Sequence, residues 1–184
     1  MLAVTTGVVG QVRPDQLDLP TPCEGWVVRE LLRHMVGHNN GFAAAALGAP
    51  PDVEVWDGAG VTDPVGEFAA SAKRVADAFA SVEPLAGRFA VLGYGHVPAG
   101  QAVGMHLIDY LAHGWDVAVS IGVDAGLDDQ ACATVLRIGA GWPLDSPKIW
   151  GPDAAFGHRV EVPADASVAD RMLGFLGRSP SWPH

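Results

Sequence analysis

The chain has few cysteines and few basic residues. Only two of its 184 residues are cysteine, Cys23 and Cys132, and neither belongs to a CxxC pair. The sequence therefore predicts neither a disulfide framework nor a structural zinc knuckle. Eleven lysines and arginines stand against 21 aspartates and glutamates, which gives a formal net charge of −10. Such a charge repels a phosphate backbone, so nucleic-acid binding is not expected.

Long hydrophobic runs and several well-known catalytic motifs are also missing. The longest uncharged stretch, residues 89–108, contains a proline, several glycines and two histidines, and is a poor membrane span. No signal peptide is expected at an amino terminus without a basic flank, so a cytoplasmic protein is predicted. There is no phosphate-binding loop and no GxGxxG, HExxH or GxSxG motif. Nucleotide-binding proteins, zincin proteases and α/β-hydrolases therefore have no support.

The apolar content is high enough for a sizeable hydrophobic core. Hydrophobic residues make up 49% of the chain and charged residues only 17%, as is typical of a globular interior. A length of 184 residues matches one domain at about 100 to 200 residues per domain. We therefore predict a single domain, and the apolar excess makes a homodimer an open alternative to a monomer with a large core.

Apolar spacing and capping residues predict an all-α fold with minor strand additions. The predicted helices cover residues 2–12, 27–46, 63–81, 99–120, 128–139 and 167–176. Residues 88–97 are expected to form either a short hairpin or an extended loop, residues 159–162 are a candidate strand, and a loop is predicted at 48–60. The pattern as a whole favours a bundle of four main helices.

A polar stripe follows the otherwise apolar helix predicted over residues 99–120. At about 100° per residue, one narrow face collects His106, Asp109, His113, Asp116 and Ser120. A carboxylate and an imidazole four residues apart, such as Asp109 and His113, can reach a common ion from one face of a helix. The stripe is therefore a candidate metal site.

The helix predicted over residues 27–46 supplies further imidazoles. His34 and His38 lie one turn apart beside its apolar arc, so both are expected to point toward the bundle interior. His34 can complete a set of two histidines and a carboxylate, which suits zinc and equally Fe(II), Ni(II) or Mn(II). The alternative is that the stripe is a solvated face and that these are hydrogen-bonded edge histidines, since the spacing is not a specific motif.

Two further residues attract attention. Cys23 stands in the segment TPCEGW, directly before a predicted helix start, where the helix dipole favours a thiolate nucleophile. We favour a small structural thiol packed under Trp26, because buried free cysteine usually behaves as an apolar filler. His96 follows a glycine-rich turn and is interpreted as a surface residue.

Two long segments resemble the DinB/YfiT-like superfamily: TPCEGWVVRELLRHMVG at 21–37 and DYLAHGWDVA at 109–118. The resemblance points to the actinobacterial branch related to the amino-terminal domain of mycothiol-dependent maleylpyruvate isomerase, and residues 162–180 are similar to it too. It implies one DinB-like, up-down-down-up four-helix bundle domain over residues 1–184, with short extra helices. Residues 141–184 form its carboxyl-terminal extension.

The resemblance also implies a site and a chemistry. The metal ligands it implies are His34, Asp109 and His113, and it places His38 and His106 next to the ion or facing the cofactor or substrate. The implied cofactors are a divalent ion, zinc first, with nickel, iron or manganese as alternatives, and mycothiol. The implied enzyme is a thiol transferase or isomerase that acts on a small thiol and an electrophilic substrate, with water activation as close chemistry. The alternatives are a non-catalytic metal- or ligand-binding protein and a metal-free interaction module.

Overall fold

The computed structural model describes residues 2–82, 86–152 and 154–183, and most of them are helical. The helices are α1 (Leu2–Val9), α2 (Val28–Ala46), α3 (Val53–Trp56), α4 (Pro64–Ser81), α5 (Ala99–Ile121), α6 (Asp129–Gly139) and α7 (Val168–Phe175). An antiparallel hairpin joins β1 (Arg88–Val91) and β2 (Gly95–Pro98). The predicted all-α class with minor strands is confirmed. Within the described ranges, no helix is both long enough and apolar enough to cross a bilayer.

These elements fall into two compact units. The first, Leu2–Ala125, contains α1 to α5 and the hairpin, and the second begins at Gly126 and contains α6 and α7. The single domain over residues 1–184, with 141–184 as its extension, stays a prediction.

Capping residues start α4 and stop α5 where the sequence predicts. The Asp63 side chain accepts a hydrogen bond from Gly66 N at 3.1 Å, and Pro64 occupies the first turn of α4, where its missing N–H costs nothing. Helix α5 ends at Gly122, whose φ of 75° lies in the left-handed region that glycine enters without a steric penalty. Of the two alternatives for residues 88–97, the hairpin is the one that forms, and it pairs Phe89 with Val97.

The core of the first unit lies between α2, α4 and α5. Helix α2 packs against both α4 and α5, and α1 packs against the same two helices. The largest fully buried side chains in this unit are Phe68, Leu31, Leu32, Met35, Ile108 and Leu111. This packing brings the polar side of α5 against α2. The up-down-down-up order that the resemblance implies stays a prediction.

The second unit has its own small core. Helices α6 and α7 pack on each other and bury Cys132, Val135, Met172 and Leu173. The Trp150 indole N–H donates to the Phe175 carbonyl at 3.0 Å, which ties the segment between the two helices to the end of α7. Burial raises the pKa of the Cys132 thiol to about 11, so this cysteine is an apolar filler at neutral pH.

The predicted strand at residues 159–162 is wrong. This segment is irregular, and Val160 N donates to Gly174 O at 2.9 Å near the end of α7. A helix end offers a few carbonyls rather than a strand edge, so the apolar alternation of this segment is not enough to form a ladder.

Two other boundaries differ from the sequence prediction. The loop predicted at 48–60 contains the single turn α3, which forms because the Asp52 side chain accepts from Glu54 N at 3.0 Å. Helix α1 ends at Val9 rather than at residue 12. The next residues continue as turns, with Gln11 N bonded to Val8 O at 3.0 Å.

Candidate metal centre

A tight loop ahead of α2 sets the mouth of the site. The Thr21 hydroxyl donates to Trp26 O at 2.9 Å and accepts from Cys23 N at 3.2 Å, while Gly25 takes a φ of 78° at the turn. These bonds close the segment on itself and hold the Trp26 ring 4.9 Å from the ring of His34, centroid to centroid.

The three ligands that the resemblance implies lie together. Asp109 and His113 stand one turn apart on α5, and His34 faces them from α2. His34 Nε2 lies 3.4 Å and His113 Nε2 lies 3.6 Å from the same oxygen, Asp109 Oδ1. All three ligand atoms lie within 4.8 Å of one another.

This donor set fits a divalent ion. Zinc bonds of about 2.0 to 2.2 Å to nitrogen and oxygen place tetrahedral donors about 3.3 to 3.6 Å apart. The two measured nitrogen-to-oxygen distances, 3.4 and 3.6 Å, match this spacing. Two imidazoles and one carboxylate are donors that zinc and other first-row divalent ions accept. The role of the three residues as ligands stays a prediction.

The Asp109 carboxylate is the electrostatic centre of the cluster. Its Oδ1 also lies 3.1 Å from His38 Nδ1, and the rings of His34 and His38 are 3.7 Å apart. Burial raises the pKa of Asp109, but electrostatic attraction to the neighbouring imidazoles of His38 and His113 and the hydrogen bonds from the α2 histidines hold it well below its usual range. The carboxylate is therefore ionised at neutral pH.

The pKa values of His34 and His113 are shifted in opposite directions. Burial lowers the pKa of His34 to about 4, although the Asp109 carboxylate acts against this. Burial also acts to lower the pKa of His113, but the charge of Asp109 and the hydrogen bonds to Asp116 and Cys23 raise it to about 10. A cation that binds to this cluster displaces a proton from His113.

His106 lies apart from the ligand atoms. It is 4% exposed, and its Nε2 donates to Asn39 Oδ1 at 2.9 Å. The Asn39 amide in turn donates to Ser71 Oγ at 3.0 Å, which donates to Phe68 O at 2.8 Å. His106 therefore belongs to a buried polar network between α2, α4 and α5, and a role toward a cofactor stays a prediction.

The burial of His106 predicts a pH dependence of stability. Burial and the nearby His38 lower its pKa to about 4, and Asp109 opposes them. Because the folded-state pKa is below the unfolded value of about 6.5, this residue contributes stability above pH 6.5 that is lost as the pH falls toward 4. The contribution is about 3 kcal/mol.

Chemical denaturation of the metal-free protein between pH 4 and 7.5 measures this effect. We expect the free energy of unfolding of the wild type to fall with acid more steeply than that of a His106→Gln variant. Parallel curves for the two proteins would refute the assignment.

Sequence reasoning missed two members of the site. Asp116 was on the predicted stripe but had no role, and Cys23 was interpreted as a packing thiol. Cys23 does pack against the core, but its Sγ also donates to Asp116 Oδ2 at 3.2 Å and lies 3.7 Å from His113 Nδ1. The i, i+3 spacing of His113 and Asp116 was the available signal. Nothing in the sequence places a loop cysteine against α5.

The stripe on α5 is not a solvated face. Asp116 is 0% exposed and His106 is 4% exposed, whereas the side chains of Asp109 and His113 are 17% and 12% exposed. His96, by contrast, is exposed on β2, as predicted. The alternative that His106, Asp109 and Asp116 form a solvated face is therefore wrong, whereas His34 and His38 are hydrogen-bonded, both to Asp109.

A hollow of about 320 Å³ opens beside the ligand cluster. Its lining residues are Trp26, Glu30, Arg33, His34 and Asp57. The Nε of Arg33 is buried and has no hydrogen-bond partner among the described residues. His34 belongs both to the hollow and to the cluster of His34, Asp109 and His113, so the hollow adjoins the cluster at this residue.

The fold and the cluster define a mostly helical protein with a partly buried donor set of two histidines and one carboxylate between two helices. Residues 2–118 match the family model described as the mycothiol maleylpyruvate isomerase N-terminal domain. The match spans more than half of the chain and includes all three donors, and the chain belongs to this family.

Two curated relatives come from Mycobacterium tuberculosis. They are Uncharacterized protein MT0763 of strain CDC 1551 and Uncharacterized protein Rv0738 of strain H37Rv. Each is 33% identical over 174 residues, which covers 94% of this chain and 90% of the relative. No solved structure matches the chain.

Proposed function

We propose that this chain is a divalent-metal-binding enzyme of the mycothiol-dependent thiol transferase or isomerase kind. The observation that carries the proposal is the convergence of His34, Asp109 and His113 on one point, with donor distances that suit a small divalent ion. Membership of a family described by mycothiol and maleylpyruvate adds the chemical class. Zinc is the first candidate ion, and nickel, iron and manganese are the alternatives.

Each residue of the cluster has a separate role in this proposal. His34, Asp109 and His113 hold the ion, and His38 holds the Asp109 carboxylate through its 3.1 Å contact. A bound divalent ion supplies a Lewis acid that lowers the pKa of a small thiol or of water. Trp26 covers the two ligand imidazoles, with its ring 4.9 Å from that of His34 and 6.4 Å from that of His113, and so limits the access of bulk water.

The hollow beside His34 is the place for the reactants. Three protein ligands leave coordination positions open, as catalytic sites require. With an activated double bond, a thiol in the hollow would give up its proton to water, its sulfur would form a bond to one carbon as the π bond breaks, and the neighbouring carbon would take up a proton from water. With an aryl chloride, the carbon–chlorine bond would break instead and chloride would leave. The proposed partners are thus a small thiol such as mycothiol and an electrophile. A cytoplasmic location goes with this proposal, since small thiols stay reduced there.

A conjugation assay tests the proposal. Mycothiol is mixed with maleylpyruvate, or with 1-chloro-2,4-dinitrobenzene as a second electrophile, and loss of the electrophile is followed by absorbance. We expect metal-loaded wild type to give a rate that exceeds the uncatalysed reaction and saturates with thiol. Metal-free protein is expected to stay at the uncatalysed rate.

Two variants sharpen the assay. A His34→Ala/His113→Ala protein is expected to show the uncatalysed rate, whereas His96→Ala, which changes an exposed histidine on β2, keeps the wild-type rate. Equal rates for wild type and the double variant would contradict the proposal.

A second candidate is a closed metal site that serves stability or sensing without turnover. One observation favours it: His38 Nδ1 lies 3.1 Å from Asp109 Oδ1. His38 is outside the group of donor atoms that lie within 4.8 Å of one another, so it becomes a fourth ligand only if its side chain moves toward the ion. In that case His38→Ala lowers metal affinity, and no thiol or electrophile changes the spectrum of cobalt-substituted protein. In the enzyme, the added thiol changes that spectrum.

A further inference from the structure

A buried carboxylate stands on the far side of His113 from the proposed ion. Asp116 is 0% exposed, and its Oδ2 lies 2.9 Å from His113 Nδ1. The same oxygen accepts from Cys23 Sγ at 3.2 Å. The His113 ring therefore lies between two carboxylates, with Asp109 at Nε2 and Asp116 at Nδ1.

The two ring nitrogens of His113 therefore have different roles. The bond to Asp116 commits Nδ1 as a donor, which leaves Nε2 as the nitrogen that faces His34 and Asp109. Both residues lie on α5 at i, i+3, so the helix backbone itself sets their spacing. A buried carboxylate without partners would be costly, and its position here is explained by the donors that it accepts.

Resting on the proposed function, we infer that Asp116 is a positioning residue that orients His113 for metal binding through Nε2, and that the Cys23 thiol holds Asp116 in place. Outer-shell carboxylates of this kind fix the tautomer and the ring orientation of a ligating histidine. Cys23 then acts as a hydrogen-bond donor from the loop ahead of α2, neither as a ligand nor as a nucleophile.

The same three residues suggest a rival arrangement. Cys23 Sγ, Asp116 Oδ2 and His113 Nδ1 also lie within 4.8 Å of one another and are themselves donors for a soft divalent ion. The two arrangements differ in the nitrogen that binds and in the presence of sulfur at the ion. Both differences can be measured.

Cobalt(II) titration of three variants tests the inference, with affinity determined by chelator competition. Asp116→Asn is expected to lower cobalt affinity about 10- to 100-fold. Cys23→Ser keeps a hydroxyl donor and is expected to keep both the affinity and the cobalt spectrum. Ser120→Ala is the matched control, since Ser120 lies one turn further along α5 and its hydroxyl donates to the Asp116 backbone oxygen at 2.7 Å rather than to the carboxylate.

Nitrogen-15 NMR of zinc-loaded wild type gives a readout that needs no variant. The inference predicts that His113 binds zinc through Nε2 and carries a proton on Nδ1 that exchanges slowly with water. This measurement decides the question even if the Asp116→Asn protein does not fold.

The other possible results contradict either the positioning role of Asp116 or the proposed function as a whole. Unchanged cobalt affinity in a folded Asp116→Asn protein, or zinc bound at Nδ1, overturns the positioning role alone. A sulfur-to-cobalt charge-transfer band that disappears in Cys23→Ser also overturns it, because Cys23 is then a ligand. Failure of the wild type to bind either ion overturns the proposed function and this inference together.

Discussion

Replacing His34 and His113 together by alanine is expected to reduce bound metal from near one ion per chain to background. The double variant keeps only Asp109 of the three donors, and a single carboxylate does not hold a first-row ion against a chelator. Neither residue is part of the buried apolar core, so the fold is expected to survive the change. Elemental analysis of protein purified without a histidine tag, before and after reconstitution, measures the result.

A matched variant separates loss of the site from loss of any histidine. His96→Ala removes an exposed imidazole from β2 and is expected to retain the wild-type metal content. If the double variant holds as much metal as the wild type, these residues are not the ligands. If no protein binds metal after reconstitution with zinc, nickel, iron and manganese, a metal-free interaction module becomes the better interpretation.

A large loss of stability is expected from a substitution at Gly37, in the middle of α2. A Cβ at this position would lie 2.5 Å from Trp56 O and 2.7 Å from Gly58 N, both backbone atoms of the segment that contains α3. Alanine favours a helix over glycine by about 1 kcal/mol, but here the α3 segment must move to admit the methyl group. We expect Gly37→Ala to lower the free energy of unfolding by about 3 kcal/mol.

Gly7 in α1 provides the control for this change. A Cβ there meets nothing within 4 Å, so Gly7→Ala is expected to leave stability unchanged or to raise it by up to about 1 kcal/mol. The Tm of Gly37→Ala is expected to fall by roughly 6 to 12 °C. Equal Tm values for the two variants would mean that α3 does not pack on α2 as described.

Two features of the sequence, the helical spacing of Asp109 and His113 and the position of His34 beside an apolar arc, are enough to predict that these three residues lie together. Asp109 and His113 share a helix face because four residues make about one turn, and His34 lies at the edge of an apolar arc that must face the core. Which histidines sit next to the ligands does not follow from periodicity. His38 and His106 looked equivalent, but His38 contacts Asp109, whereas His106 turns into the Asn39 network.

The positions of Cys23 and Asp116 show where the sequence becomes insufficient. The contact between them depends on the path of an irregular loop that is set by the Thr21 hydroxyl and by Gly25. The failed strand at residues 159–162 has a similar cause, since strand formation requires a partner edge that apolar alternation alone does not supply. Local signals such as Asp63-Pro64 and Gly122, by contrast, act on the backbone directly and were sufficient.

X-ray absorption spectroscopy of zinc-loaded wild type tests the central claim most directly, because it counts and distinguishes the atoms around the ion. The account predicts two imidazole nitrogens and oxygen donors at about 2.0 to 2.2 Å and no sulfur from the protein. A sulfur neighbour at about 2.3 Å in protein free of added thiol, or fewer than two imidazoles, would contradict it.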